Sequence, residues 1–168
     1  SLNLINSGEM APGLSVGMMT ATEPVALSPT SVFEAEISPA NADLLRSVST
    51  VELGGSLDVE FIDGLAPDAF WARTIVEASS ITDAFDTLNF PAPPLGLVSR
   101  VYNTGTELII GQTCLTDFNI DGELDFFDVS AFLAAFNASD PAADFTGDGA
   151  FDFFDISLFL GTYSFGCP

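Results

Sequence analysis

The chain has 168 residues, 48% of them apolar, and a net charge of -21 from 24 acids against three arginines, with no lysine and no histidine. That length suits one ordinary domain or two small ones, and the apolar content argues against wholesale disorder. The charge disfavours nucleic acid and anionic lipid as partners, no run approaches the roughly 18 apolar residues of a membrane span, and the missing histidine removes the usual triad base and zinc ligand.

The first 30 residues are irregular, with Met10-Ala-Pro-Gly13 and Met18-Met19 in a Ser/Thr/Gly-rich stretch, and read as a first strand and cap or as an arm pairing with another subunit. A start at Ser1 fits a processed or trimmed chain. Val32–Ile37 then alternates, with Phe33, Ala35 and Ile37 on one face and Glu34 and Glu36 on the other. The run 48–53, the pair Gly54-Gly55 and the run 57–62 predict a hairpin or a tight corner. Further short runs lie at 71–77, 97–102 and 107–110, separated by Asp63-Gly64, Ala66-Pro67-Asp68, the Pro91–Pro94 cluster and Asn103-Thr104-Gly105. Many short strands with regular turns predict a β-sandwich, a jelly roll or a short β-helix over residues 1–111. The acid pairs Glu34/Glu36 and Asp58/Glu60 sit on the polar faces of alternating strands, so they read as solvated surface and the chain as no enzyme.

Thr50–Pro91 resembles a segment common near the C-terminus of secreted bacterial surface proteins, often autotransporter-associated or β-helical, in which an "LGGTLDV" strand pair precedes further strands and a proline-rich turn. Here Ala84 stands where that pattern has glycine. The resemblance implies a secreted β-scaffold and no chemistry.

The last third repeats itself at an offset of 27 residues. Asp117, Asp121, Gly122, Asp125, Phe126, Phe127 and Asp128 recur as Asp144, Asp148, Gly149, Asp152, Phe153, Phe154 and Asp155. Calcium takes roughly six to eight oxygens, and a loop can wrap it with ligands at its first, third, fifth, seventh, ninth and twelfth positions around a sharp glycine turn. The first loop offers Asp117, Asn119, Asp121, the Glu123 carbonyl, Asp125 and Asp128; the second offers Asp144, Thr146, Asp148, the Ala150 carbonyl, Asp152 and Asp155. Two Ca2+ are the expected cofactors, with Thr146 a weaker ligand than Asn119. Magnesium, which holds a stricter octahedron, suits such loops less well.

Each loop runs into a helix, with Val129, Phe132, Leu133 and Phe136 at helical spacing in the first and Ile156, Phe159, Leu160 and Tyr163 in the second. A doubled loop-then-helix unit of this spacing resembles the dockerin domain, and the double phenylalanines with the ending "GCP" resemble the GC-type dockerin-like modules of planctomycete secreted proteins. The resemblance implies a cohesin-like partner. Its recognition positions are Phe126-Phe127 and Phe153-Phe154 here, not small polar pairs, so these rings either form a twofold docking surface, or fill the module's own core or pack on the β-domain.

Two such units packed face to face would bring Cys114 and Cys167 together, as a disulfide or as two free thiols; the disulfide would go with an oxidising, extracellular setting. The expected fold class is thus a mainly β domain, residues 1–111, followed by a small α-helical dockerin-like domain with two EF-hand-type calcium loops, residues 112–168. The expected function is a structural protein of the cell surface that polymerises with copies of itself. The alternatives are an adaptor for a cohesin-like receptor and a carbohydrate-binding module that uses Trp71, the one tryptophan.

Overall fold

A computed structural model describes residues 4–6, 8–12, 16–62, 70–94 and 97–167. Gly13 and the turn signals Asp63-Gly64 and Ala66-Pro67-Asp68 lie outside the described residues. Strands form at β1 (Leu4–Asn6), β2 (Glu9–Met10), β3 (Met18–Ala21), β4 (Val25–Leu27), β5 (Val32–Ile37), β6 (Leu44–Ser47), β7 (Thr50–Glu52) and β8 (Ser56–Phe61). They continue with β9 (Trp71–Glu77), β10 (Ser80–Thr82), β11 (Thr87–Asn89), β12 (Leu97–Asn103) and β13 (Glu107–Cys114). Two helices follow, α1 (Phe126–Asn137) and α2 (Phe153–Phe165), with a 3-10 turn at Pro141–Ala143 between them.

From β1 to β8 each strand pairs in parallel with the strand three places later. The chain therefore passes through three sheets in turn and lays each circuit on the one before. The orders are β1-β4-β7-β10, β11-β8-β5-β2 and β12-β13-β9-β6-β3. Only the last breaks the rule, since β13 runs antiparallel to β9 and to β12. Stacked circuits put like side chains in register and bury them. Met10, Phe33 and Leu57 align across one sheet, and Val25, Val51 and Ile81 across another.

This architecture overturns the expected fold class. The chain is α/β-like, with three sheets of mostly parallel strands and two helices, where a mainly β domain and a helical domain with EF-hand-type loops were expected. The two helices are not an EF-hand pair. Each loop has a helix on its C-terminal side only, in line with the loop-then-helix spacing; β13 leads into the first loop and the 3-10 turn into the second. The local reasons are plain. Ile109, Ile110 and Thr113 are β-branched and favour a strand, while residues 138–143 are too few, and contain Pro141, to make an entering helix. β13 ends at Cys114, just before the first loop.

Gly54-Gly55 is a corner, not a hairpin, because β7 and β8 lie in different sheets. The corner stacks on the previous circuit so closely that a Cβ on Gly54 would stand 2.4 Å from the Leu27 carbonyl oxygen. One on Gly55, whose φ is +72°, would stand 2.2 Å from that of Ser31. Parallel stacking also lines up the acids on one sheet face, with Glu34 opposite Asp58 and Glu36 opposite Glu60. Partial burial, then the charges of Glu9, Glu60, Asp58 and Glu36, push the Glu34 carboxyl above its usual range.

Two outcomes are expected. Gly55→Ala combines a backbone clash with a left-handed residue and should lower stability by about 2 kcal/mol or more, read as a fall in the urea midpoint. Gly105→Ala, with positive φ but open space around it, should cost less. A raised carboxyl in the folded state means that stability is lost as pH rises through its folded value. Glu34→Gln should therefore unfold at higher urea than the parent at neutral pH, with the difference closing near pH 4.

Candidate metal centre

The two copies of the repeat fold onto one another through their phenylalanines. Phe132 of α1 and Phe159 of α2 occupy equivalent positions and stack face to face, centroids 3.9 Å apart and planes within 4°. Phe118 stands edge-on to Phe132 at 5.4 Å and Phe145 edge-on to Phe159 at the same distance. Phe136 and Tyr163 extend the pattern symmetrically. Buried Phe118, Phe132, Ala143 and Phe159 thus form a second core, separate from that of the strands. Leu133 and Leu160, expected on the packed face, are exposed instead. Cys114 and Cys167 are joined, Cα atoms 5.6 Å apart, which ties the end of β13 to the residue after α2.

Both loops are shaped by aspartates that accept backbone N–H groups at matching places. Asp117 accepts from Ile120 at 2.7 Å and Gly122 at 3.0 Å; Asp144 accepts from Gly147 at 2.8 Å and Gly149 at 2.9 Å. Asp121 accepts from Glu123 and Asp148 from Ala150. Asn119 bridges Asp121, whereas the Thr146 hydroxyl donates to Asp144 and Asp155. Gly122 and Gly149 make the sharp turn with φ of 82° and 80°. Asp128 and Asp155, both fully buried, reach back to the start of their loops.

Asp125 and Asp152 have a further duty that the acid spacing alone did not reveal. They are helix N-caps, accepting from Phe127 and Phe154, while Asp128 and Asp155 return a hydrogen bond to the cap N–H and complete a capping box in each helix. The signal was present as an Asp-x-x-Asp step opening each helix. Burial pushes the Asp128 carboxyl up against the pull of the Asp125, Phe118 and Asn119 N–H groups. At Asp155 the N–H groups of Asp152 and Thr146 prevail and hold the carboxyl below its usual range.

The surroundings of the loops differ. Thr113 of β13 donates to Asp117, and the Ile120 side chain lies where a Cβ on Gly111 would be, 2.5 Å away. Ile120 itself adopts φ 62°, where the second loop has Gly147 at 70°. Arg100 of β12 is buried over the Phe118 ring, its Cζ 3.9 Å from the centroid, and donates to the Leu115 carbonyl. Burial lowers the Arg100 guanidinium to about 10 against the upward pull of Asp117, Asp140 and Asp128, so it stays charged at neutral pH. None of these contacts was legible in the repeat.

Among the described residues, no three acidic or cysteine side chains are drawn together in the manner of a metal cage. The donor chemistry nonetheless suits a hard cation. Each loop offers only oxygens, four of its side chains are aspartates, and those side chains turn inward to the loop's own N–H groups. Phe126, Phe127, Phe153 and Phe154 take no part in the core and are 75%, 65%, 73% and 67% exposed. Among the described residues no helix is long and apolar enough to cross a membrane. Fold and site define a disulfide-closed pair of acidic loop–helix units seated on a stack of parallel strands. No protein-family model matches the chain, and neither does any curated protein.

Replacing both cysteines by alanine opens a closure across 53 positions and should lower stability by about 4 kcal/mol on chain-entropy grounds. Chemical denaturation of the variant beside the parent measures it.

Proposed function

We propose that this is a secreted, non-enzymatic structural protein whose two acidic loops each take up one calcium ion and whose phenylalanine pairs then dock on other copies of the chain. The observation that carries the reading is the placement of those pairs. Four large rings stand in solvent on a unit whose core is filled by other phenylalanines. Exposed apolar patches of this kind mark interaction sites, and burying one such ring is worth about 1.5–3 kcal/mol.

Calcium and docking are coupled by position. Each ring pair occupies the first two helical residues, between the capping aspartate and the aspartate that closes the loop. Asp117, Asn119, Asp121, Glu123, Asp125 and Asp128 would hold the first ion, and Asp144, Thr146, Asp148, Ala150, Asp152 and Asp155 the second. Two carboxylates 4 Å apart repel by roughly 4 kcal/mol at an effective dielectric near 20, and a divalent cation removes that cost. A metal that fixes the loop therefore fixes the start of the helix and the rings on it. It also reduces the net charge that opposes association of like copies. The disulfide fits an oxidising, extracellular location.

The carbohydrate-binding alternative draws less support, because Trp71 is half-buried and packs edge-on to Phe61 at 5.5 Å. A cohesin-like receptor would use the same phenylalanine face and is an outcome of the test. Calorimetry should find two calcium ions per chain, and light scattering should find assemblies in millimolar calcium that chelator disperses. Replacing Phe126, Phe127, Phe153 and Phe154 by serine should abolish assembly and leave calcium uptake intact. A monodisperse parent chain in millimolar calcium would remove self-assembly, and capture by a cohesin-like protein would then assign the face to that partner.

A further inference from the structure

We infer that Arg100 is a resident counter-cation of the first loop, so that this loop keeps its shape without calcium while the second depends on the ion. The inference rests on the calcium reading above and goes beyond it by making the two sites unequal.

The sequence repeat predicts equal loops; their surroundings do not. Arg100 is 8% exposed and lies beside the first loop, where Asp117 and Asp128, with Asp140 beyond α1, favour its charged form against the cost of burial. Its guanidinium covers Phe118, the residue whose N–H binds Asp128, and holds the Leu115 carbonyl just before the loop. Its Nε is buried without a hydrogen-bond partner, and the Phe118 ring and the Leu115 carbonyl hold the group in place. Thr113 and the Gly111 notch add neutral anchors, at Asp117 and Ile120. Asp117, Phe118 and Ile120 are buried as a result.

The equivalent residues Asp144 and Phe145 are half-buried and Gly147 is exposed. No basic side chain attends them. The chain has three, and the other two are engaged elsewhere: Arg46 with Glu77 at 2.7 Å, and Arg73 with the Pro39 and Ala72 carbonyls. The carboxylates of the second loop thus have backbone N–H groups and the Thr146 hydroxyl as partners, with no buried arginine beside them. Removing calcium would release the second loop and Phe153-Phe154, and leave Phe126-Phe127 presented.

Amide hydrogen exchange on the full chain, in millimolar calcium and in excess chelator, tests this. Chelation should speed exchange at Gly147 and Gly149 by about tenfold or more and leave Ile120 and Gly122 nearly unchanged. In Arg100→Met the first loop should become chelator-sensitive too, and Arg100→Lys should restore much of its independence, which a purely packing role would not allow. Equal loss of protection in both loops of the parent chain would overturn the inference, as would a first loop in Arg100→Met that ignores chelator. Should Arg100→Met fail to fold, seen as lost protection in β5 and β8, the comparison of the two loops in the parent chain decides. If neither loop responds and calorimetry finds no uptake, the calcium reading itself fails and this inference with it.

Discussion

The contact between Phe132 and Phe159 sets the form of the C-terminal third. A unit of this size buries too little surface to hold two helices by area alone. The stacked pair, flanked edge-on by Phe118 and Phe145, concentrates the burial in four rings and fixes one repeat against the other. Because Phe118 and Phe145 each belong to a loop, the ring cluster also fixes where the aspartate loops lie. The Cys114–Cys167 bond closes the same unit from its open end.

The ring cluster is symmetric, but its seat is not. One repeat is the direct continuation of β13 and lies against the sheet; the other is reached only across α1 and the 3-10 turn. Thr113, Gly111 and Arg100 of the strands accordingly meet residues of the first repeat. Ile120 illustrates the trade. A left-handed backbone costs a β-branched residue on the order of 1–3 kcal/mol, and here the same residue buries its side chain against Gly111. Gly147 adopts that conformation without strain and has nothing to bury.

How much was legible depends on how far apart in the chain the partners lie. Phe33, Ala35 and Ile37 declared their shared face, since alternation is a property of neighbours, and the buried pattern of β5 follows it. The sheets did not declare themselves. β5 and β8 pair across two dozen residues, and the same alternation serves an antiparallel sandwich or a parallel stack. Gly54-Gly55 read equally as hairpin or corner, because the reason for two glycines is the Leu27 and Ser31 carbonyls of another circuit. In the loops, the aspartates and the turn glycines were visible from spacing. Which loop is buried was not.

The sequence by itself determined the repeat, its acid positions, the start of each helix and the local faces of the strands, because these depend on residues within a few places of one another. Only the tertiary structure decided the parallel stacking, the outward placement of the phenylalanine pairs and the inequality of the two loops. Those depend on long-range neighbours, and a buried charge such as Arg100 acquires its partners only when β12 and β13 bring it to the first loop and to no other.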